Sequence, residues 1–178
     1  MARKVSFSGK NLSPIDAILH HSDTGEALTL FFSSVSPSYP VRFAGYKLTE
    51  VHAELADRRA ELDLNTTMSL LAAVEAAFRI DYLQRCYQKK KDDVSRQFFE
   101  IYKEKATRVS LEDEIYEVWK SNTVGSTKLI SDLRGAFKFR HWIAHGRYWT
   151  PKLGQKYDAL SVYPLALAAL SDFPLMAT

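Results

Sequence analysis

The chain holds one cysteine, Cys86, among 178 residues. No internal disulfide can form, so the fold must stand on packing alone, and a lone thiol points to a reducing compartment. Long apolar runs are missing as well. The two best stretches are broken by Glu75 and by Pro164, and neither approaches the roughly 20 residues a bilayer requires. The start, Met1-Ala2-Arg3-Lys4-Val5-Ser6, has basic residues with no apolar run behind them, which does not match a secretory signal. A cytoplasmic protein without a membrane partner is the expectation. Repeats, low-complexity segments and, beyond residue 47, alternating strand patterns are absent. So are a glycine-rich phosphate loop and a serine or cysteine elbow, which removes those two routes to phosphate or acyl chemistry.

What remains is ordinary in bulk. A hydrophobic share of 46% and a charged share of 25% describe a globular protein large enough for one good core. Residues 1–46 read as an irregular appendage packed on the main body. Ser13 caps a short helix with Pro14 in its first turn, ending near His20 or His21, and Asp23-Thr24-Gly25 breaks it. The apolar stretch 27–35 fits a helix or a strand equally, and 36–40 is a loop.

From residue 47 to 178 the pattern is helical. Amphipathic spacing covers 49–62, Asn65-Thr66-Thr67 reads as a break, and a strongly apolar helix spans 67–87. Glu75 lies inside that apolar surface, where a carboxylate needs a partner. It either pairs with Arg79 one turn on or reaches a basic residue elsewhere. Helices follow over 94–107, from a capped start at Ser110, and over 127–145. Gly135, mid-helix, costs about 1 kcal/mol against alanine and predicts close approach by another helix, a second copy's included. Gly146 and Pro151 end that helix, and Asp158 caps a last segment that Pro164 kinks or restarts. The fold class is all-α, an antiparallel helical bundle.

The net charge of +3 hides a local excess. Between residues 125 and 157 stand Lys128, Arg134, Lys138, Arg140, Arg147, Lys152 and Lys156, against the single acid Asp132. Such a patch favours a polyanion such as RNA, or is simply a solvated face. Its densest part, 138–149, mixes Lys138, Arg140, His141, Trp142, His145, Gly146, Arg147, Tyr148 and Trp149. Arginine supplies a permanent fork-shaped cation for phosphate oxygens, and histidine moves protons near neutrality. Trp142, Tyr148 and Trp149 either stack on bases or pack under a loop. His141 and His145 have the spacing of two zinc ligands, but Trp142 stands where a metalloprotease needs glutamate, and no third ligand is evident. Proton transfer is therefore preferred to metal catalysis. One geometric difficulty follows: at about 100° per residue, Arg140 and His145 are separated by about 140° on a regular helix. One helix cannot aim both at one phosphate unless it loosens near Gly146 or two chains share the site.

Arg140-His141-Trp142-Ile143-Ala144-His145-Gly146 resembles the signature of the HEPN superfamily, an arginine followed after four to six residues by a histidine. His141 fits the polar residue common after that arginine, and a helical span over about 47–173 fits the superfamily's bundle. Residues 1–46 lie outside the resemblance. It implies a metal-independent, cofactor-free endoribonuclease, often a toxin or antiviral defence effector, acting as a homodimer. Arg140 and His145 would be catalytic, with His141, Arg147, Tyr148, Lys138, Glu75 and Trp149 as candidate supporting or RNA-binding residues. A non-catalytic module binding RNA, a nucleotide or a partner protein is the alternative. The chain departs from the branch controlled by nucleotidyltransferase antitoxins, which often has tyrosine two residues after the histidine; here Arg147 stands there.

Overall fold

The computed structural model describes residues 4–176. The first three residues of the basic start and the last two of the 47–178 span lie outside them. Among the described residues there are seven α-helices and no strand. None of those helices is long and apolar enough to cross a membrane.

The organising element is α3, Leu48–Gln88, a single helix of 41 residues and roughly 60 Å at 1.5 Å per residue. The sequence predicts a break at Asn65-Thr66-Thr67, and none occurs. Thr66 and Thr67 turn their hydroxyls back onto the carbonyls of Leu62 and Asp63, at 3.0 and 2.9 Å. Residues that would cap a new helix thus satisfy themselves within the old one. Both are buried, so packing favours continuity. Past them, Leu70, Leu71, Val74, Phe78 and Tyr82 form the spine of the main core.

The other helices clothe that spine. α1, Pro14–Phe31, starts where expected, with the Ser13 hydroxyl accepting from the Asp16 amide. It then runs past the predicted break: Gly25 stays helical, and the Thr29 hydroxyl donates to its carbonyl at 2.8 Å. The 27–35 stretch, open between helix and strand, is helix through Phe31. Ala17 and Ile18 reach the main core, while Leu28 and Phe32 join Phe43 and Val51 in a smaller cluster. A one-turn α2, Tyr39–Arg42, closes that region. The appendage expected to be irregular is therefore largely helical.

α4, Asp93–Lys105, is capped by Asp92. A π-helical turn, Leu111–Ile115, capped by Ser110, runs directly into α5, Tyr116–Asn122. α6, Ser126–Ala144, and α7, Ala159–Ser171, complete the bundle. Pro164 neither ends nor restarts α7, which passes through it.

A buried ion pair that the sequence did not announce ties these elements together. Arg85 Nε donates to Asp81 Oδ1 at 2.7 Å, with both side chains removed from solvent. The same guanidinium reaches Asp92 and Ser95 of the α4 cap and the carbonyl of Pro174, and it lies 5.0 Å from the Trp119 ring centre. Asp81 Oδ1 also receives the Met176 amide. Burial pushes the Asp81 carboxyl above its ordinary pKa, against the pull of the Met176 amide and of Arg85.

Gly135 does mark a close approach, but the neighbour is the buried Tyr157 of the loop before α7, not a helix. A Cβ on Gly135 would overlap the Tyr157 hydroxyl. Alanine gains about 1 kcal/mol of helix propensity, whereas overpacking costs about 1–3 kcal/mol. Gly135→Ala is expected to lower unfolding stability by about 1 kcal/mol, and to cost less in a Tyr157→Phe background, where the overlapping oxygen is gone and only the ring carbon at 3.2 Å remains close.

The cap of α7 gives a pH-dependent test. Asp158 accepts from the Ser161 amide at 2.8 Å, and its carboxyl is held below the ordinary value of 3.8, first by the Ser161 hydroxyl. A lowered folded-state pKa means that stability is fully present above the ordinary value and is lost as pH falls through the lower one. Asp158→Ala is expected to cost about 1 kcal/mol in urea at pH 7. The difference from wild type should vanish as the pH is taken well below 3.8.

Candidate functional site

α6 delivers the 138–149 cluster. Its inner face buries Leu133, Ala136 and Phe137, and Arg140 follows on the same stripe. That alignment brings Arg140 against α3, where its terminal nitrogen lies 3.0 Å from Glu75 Oε2. The other Glu75 oxygen accepts from Arg79 Nε at 2.7 Å. The two readings of Glu75 therefore hold at once: one carboxylate bridges two guanidiniums. Arg79 is further fixed by the Val109 carbonyl at 3.2 Å. Arg140 lies 5.7 Å from the Phe137 ring centre, and its Nε is buried with no hydrogen-bond partner. These groups line an open cleft of about 370 Å³ together with Ser110, Glu112 and Asp113.

A second cleft, of about 320 Å³, adjoins it and shares Glu112 and Phe137. Lys138, His141, Trp149 and Lys152 line it. Burial pushes the Glu112 carboxyl above its ordinary pKa. Arg134 opposes that shift, Asp113 reinforces it, and Lys138 and His141 oppose it more weakly.

His145 sits elsewhere. It is the residue that caps α6, exposed, with its ring centre 4.1 Å from that of His141. Arg140 touches Glu75 and Phe137, whereas His145 touches His141. The helix stays regular through Ala144 and departs from helical geometry only at the His145 cap, so up to that cap the angular separation of a regular helix applies. Beyond the cap, Gly146 and Arg147 both take positive φ, +78° and +59°. The Arg147 amide closes back onto the Trp142 carbonyl at 3.1 Å.

The remaining sequence candidates divide by surroundings. Trp142 packs on the core and donates its indole N–H to the Trp149 carbonyl at 2.6 Å, which is a structural role. Trp149 is half-buried, 6.0 Å from the His141 ring, and Tyr148 is exposed with its edge to Trp149 at 4.6 Å. Arg147 is drawn away to Glu61 on α3 at 2.8 Å.

The basic patch is less free than its composition implies. Lys128 pairs with Asp132, Arg134 with Glu117, Arg140 with Glu75, Arg147 with Glu61 and Lys156 with Asp158. Among the described residues only Lys138 and Lys152 of the seven have no ion pair, and both flank His141. Arg79 and Glu112 are the groups that sequence reasoning did not place here. In the sequence Arg79 stands out only as a helical partner of Glu75, and Glu112 carries no site signal. Among the described residues no three His, Cys, Asp or Glu side chains converge as metal ligands would.

The chain matches no family model, no curated protein and no solved structure.

The Glu75 bridge is only partly shielded, with about a fifth of Glu75 and a third of Arg140 exposed. Glu75→Gln keeps the shape but removes the charge that both guanidiniums share. It is expected to lower stability by about 1 kcal/mol in urea at low salt, with the difference shrinking in molar salt as the pair is screened.

Proposed function

We propose that the protein is a metal-independent endoribonuclease of the HEPN type, acting as a homodimer in growth arrest or antiviral defence. The observation that carries this reading is that Arg140 and His145, the two residues of the resemblance, are not consumed by the core. Arg140 opens into a cleft beside a second arginine, and His145 stands exposed at the end of the same helix. In the reaction the RNA 2′-hydroxyl attacks the adjacent phosphate, the 5′-oxygen leaves, and the products are a 2′,3′-cyclic phosphate and a 5′-hydroxyl. His145 moves the protons and Arg140 stabilises the charge gathering on the phosphorane oxygens. Glu75 and Arg79 orient Arg140. His141 steadies His145, while Lys138, Lys152 and the Trp149 and Tyr148 rings receive the strand. Because the two catalytic groups diverge on one helix, each site takes Arg140 from one protomer and His145 from its partner.

Charge pairing favours a second reading, a non-catalytic module that binds RNA, a nucleotide or a partner protein. Five of the seven local cations already hold carboxylates, which weakens a purely electrostatic grip on RNA.

Incubation with structured and unstructured RNA in EDTA tests the proposal. Cyclic-phosphate ends should accumulate, and Arg140→Ala or His145→Ala should each slow cleavage by at least about 100-fold. Mixing the two inactive variants should restore about a quarter of the wild-type rate, since half the dimers are mixed and each has one intact composite site. No cleavage, or cleavage indifferent to both substitutions, sinks the enzyme. Cleavage with no recovery on mixing sinks the shared site. Salt-sensitive RNA binding without cyclic-phosphate product selects the second reading.

A further inference from the structure

A third cleft, of about 380 Å³, lies where the end of α3, α4 and the segment at Lys4 meet. Its floor is aromatic. Tyr87 and Tyr102 meet edge to face at 5.9 Å, and Phe99 lies beside them. Its rim is cationic: Lys4, Lys89 and Lys103 line it, and Lys90 and Lys91 follow Lys89 in the chain. Lys103 is partly neutralised by Glu100 at 2.7 Å. Lys4 and Lys89 have no ion pair among the described residues; the Lys4 ammonium stands 5.0 Å from the Tyr87 ring centre. Among the described residues no acid lines the cleft.

Two backbone features argue that this shape is held deliberately. Three non-glycine residues take positive φ among those described, and two of them, Lys89 and Ala106, line this cleft. Lys89 occupies the left-handed position that ends α3 (φ 50°, ψ 46°), a place where glycine is far less strained. A lysine there sets an ammonium on the rim at a conformational cost. Ala106 (φ 50°, ψ −115°) is pinned by the buried Tyr82, whose hydroxyl donates to its carbonyl at 2.8 Å. Strained residues fixed by their surroundings gather where a site is preorganised.

We propose that this cleft is a binding site for a small aromatic anion: a planar ring seated against Tyr87, Phe99 and Tyr102, with its phosphate or carboxylate held between Lys4 and Lys89. The rings favour a π-face over an alkyl chain, the ammonium groups supply charge-assisted hydrogen bonds to an oxyanion, and the volume suits a mononucleotide-sized ligand. The inference does not rest on Arg140 or His145, and the site would persist were the ribonuclease reading wrong.

The probe is 8-anilinonaphthalene-1-sulfonate, itself an aromatic anion, followed by fluorescence on the full chain and displaced by competitors. AMP and indole-3-acetate distinguish a nucleotide source from an aryl-acid source, and displacement by either supports the site. Adenosine, indole and octanoate are expected to compete poorly. Lys4→Ala and Lys89→Gly should each weaken binding about fivefold, while Arg140→Ala leaves it unchanged. Lys89→Gly is the decisive variant, because glycine suits the left-handed position: thermal stability should hold or rise while affinity falls. The proposal is overturned by the absence of saturable probe binding, by neutral or aliphatic compounds displacing as well as the aromatic anions, or by wild-type affinity in both lysine variants.

Discussion

The Asp81–Arg85 pair is the interaction on which the other elements depend. Removing two charges from water is costly, and the pair is tolerable only because so many groups complete it. Arg85 reaches Asp81, Asp92, Ser95, the Pro174 carbonyl and the Trp119 face. Beyond its own helix these contacts come from three other stretches of chain, so the pair fixes α3 against α4, α5 and the C-terminal tail simultaneously. Two groups remain imperfectly met: Asp81 Oδ2 and the Trp119 indole N–H lack hydrogen-bond partners. The indole still acts on the Asp81 carboxyl, lowering its pKa. Glu75 is six residues earlier on α3, about 240° around the helix. One helix thus turns one carboxylate inward to lock the bundle and another towards α6 to hold Arg140.

Charge in the 125–157 region is arranged by the same economy of partners. The local sequence holds a single acid, yet distant acids supply Glu61, Glu75 and Glu117 to Arg147, Arg140 and Arg134. A composition count along the chain could not anticipate this, because two of those acids lie on α3 and one on α5. The effect is selective rather than uniform neutralisation. Among the described residues Lys138 and Lys152 are left without an ion pair, and any anion at Arg140 would compete with Glu75. Such a carboxylate keeps a guanidinium aimed while nothing else is bound.

Local chemistry was readable from the sequence and tertiary compensation was not. The caps at Ser13, Ser110 and Asp158 were legible because a side-chain oxygen and an amide three residues on suffice to define them. The predicted breaks at Asp23-Thr24-Gly25 and Asn65-Thr66-Thr67 failed for the complementary reason. Helix-breaking residues only weaken a helix, and burial along α3 outweighs a penalty of that size; on α1, where Pro14 alone is fully buried, the Thr29 hydroxyl on the Gly25 carbonyl accompanies the unbroken helix. At Gly135 the signal of a close approach was sound, but its owner, Tyr157, is recruited by the loop that returns the chain to α7. Arg140 and His145 stand out in the sequence as residue types, whereas Arg79 and Glu112 come to line the Arg140 cleft only through packing. The Lys4–Tyr102 cleft had no sequence signature at all, since it joins residues nearly 100 positions apart.

The regularity of α6 turns a sequence difficulty into a structural constraint. Arg140 is committed to the α3 side by Phe137 beneath it and Glu75 beside it. His145 stands exposed at the helix cap, against His141 and beside the turn at Gly146 and Arg147. General acid–base catalysis needs the proton carrier within hydrogen-bond reach of the reacting oxygen, directly or through one water. On the proposed reading, a phosphate seated on Arg140 is therefore poorly placed for the His145 of the same chain. If the two residues act on one phosphate, the histidine must come from another copy, and pairing the chains becomes part of the chemistry rather than an accessory to stability.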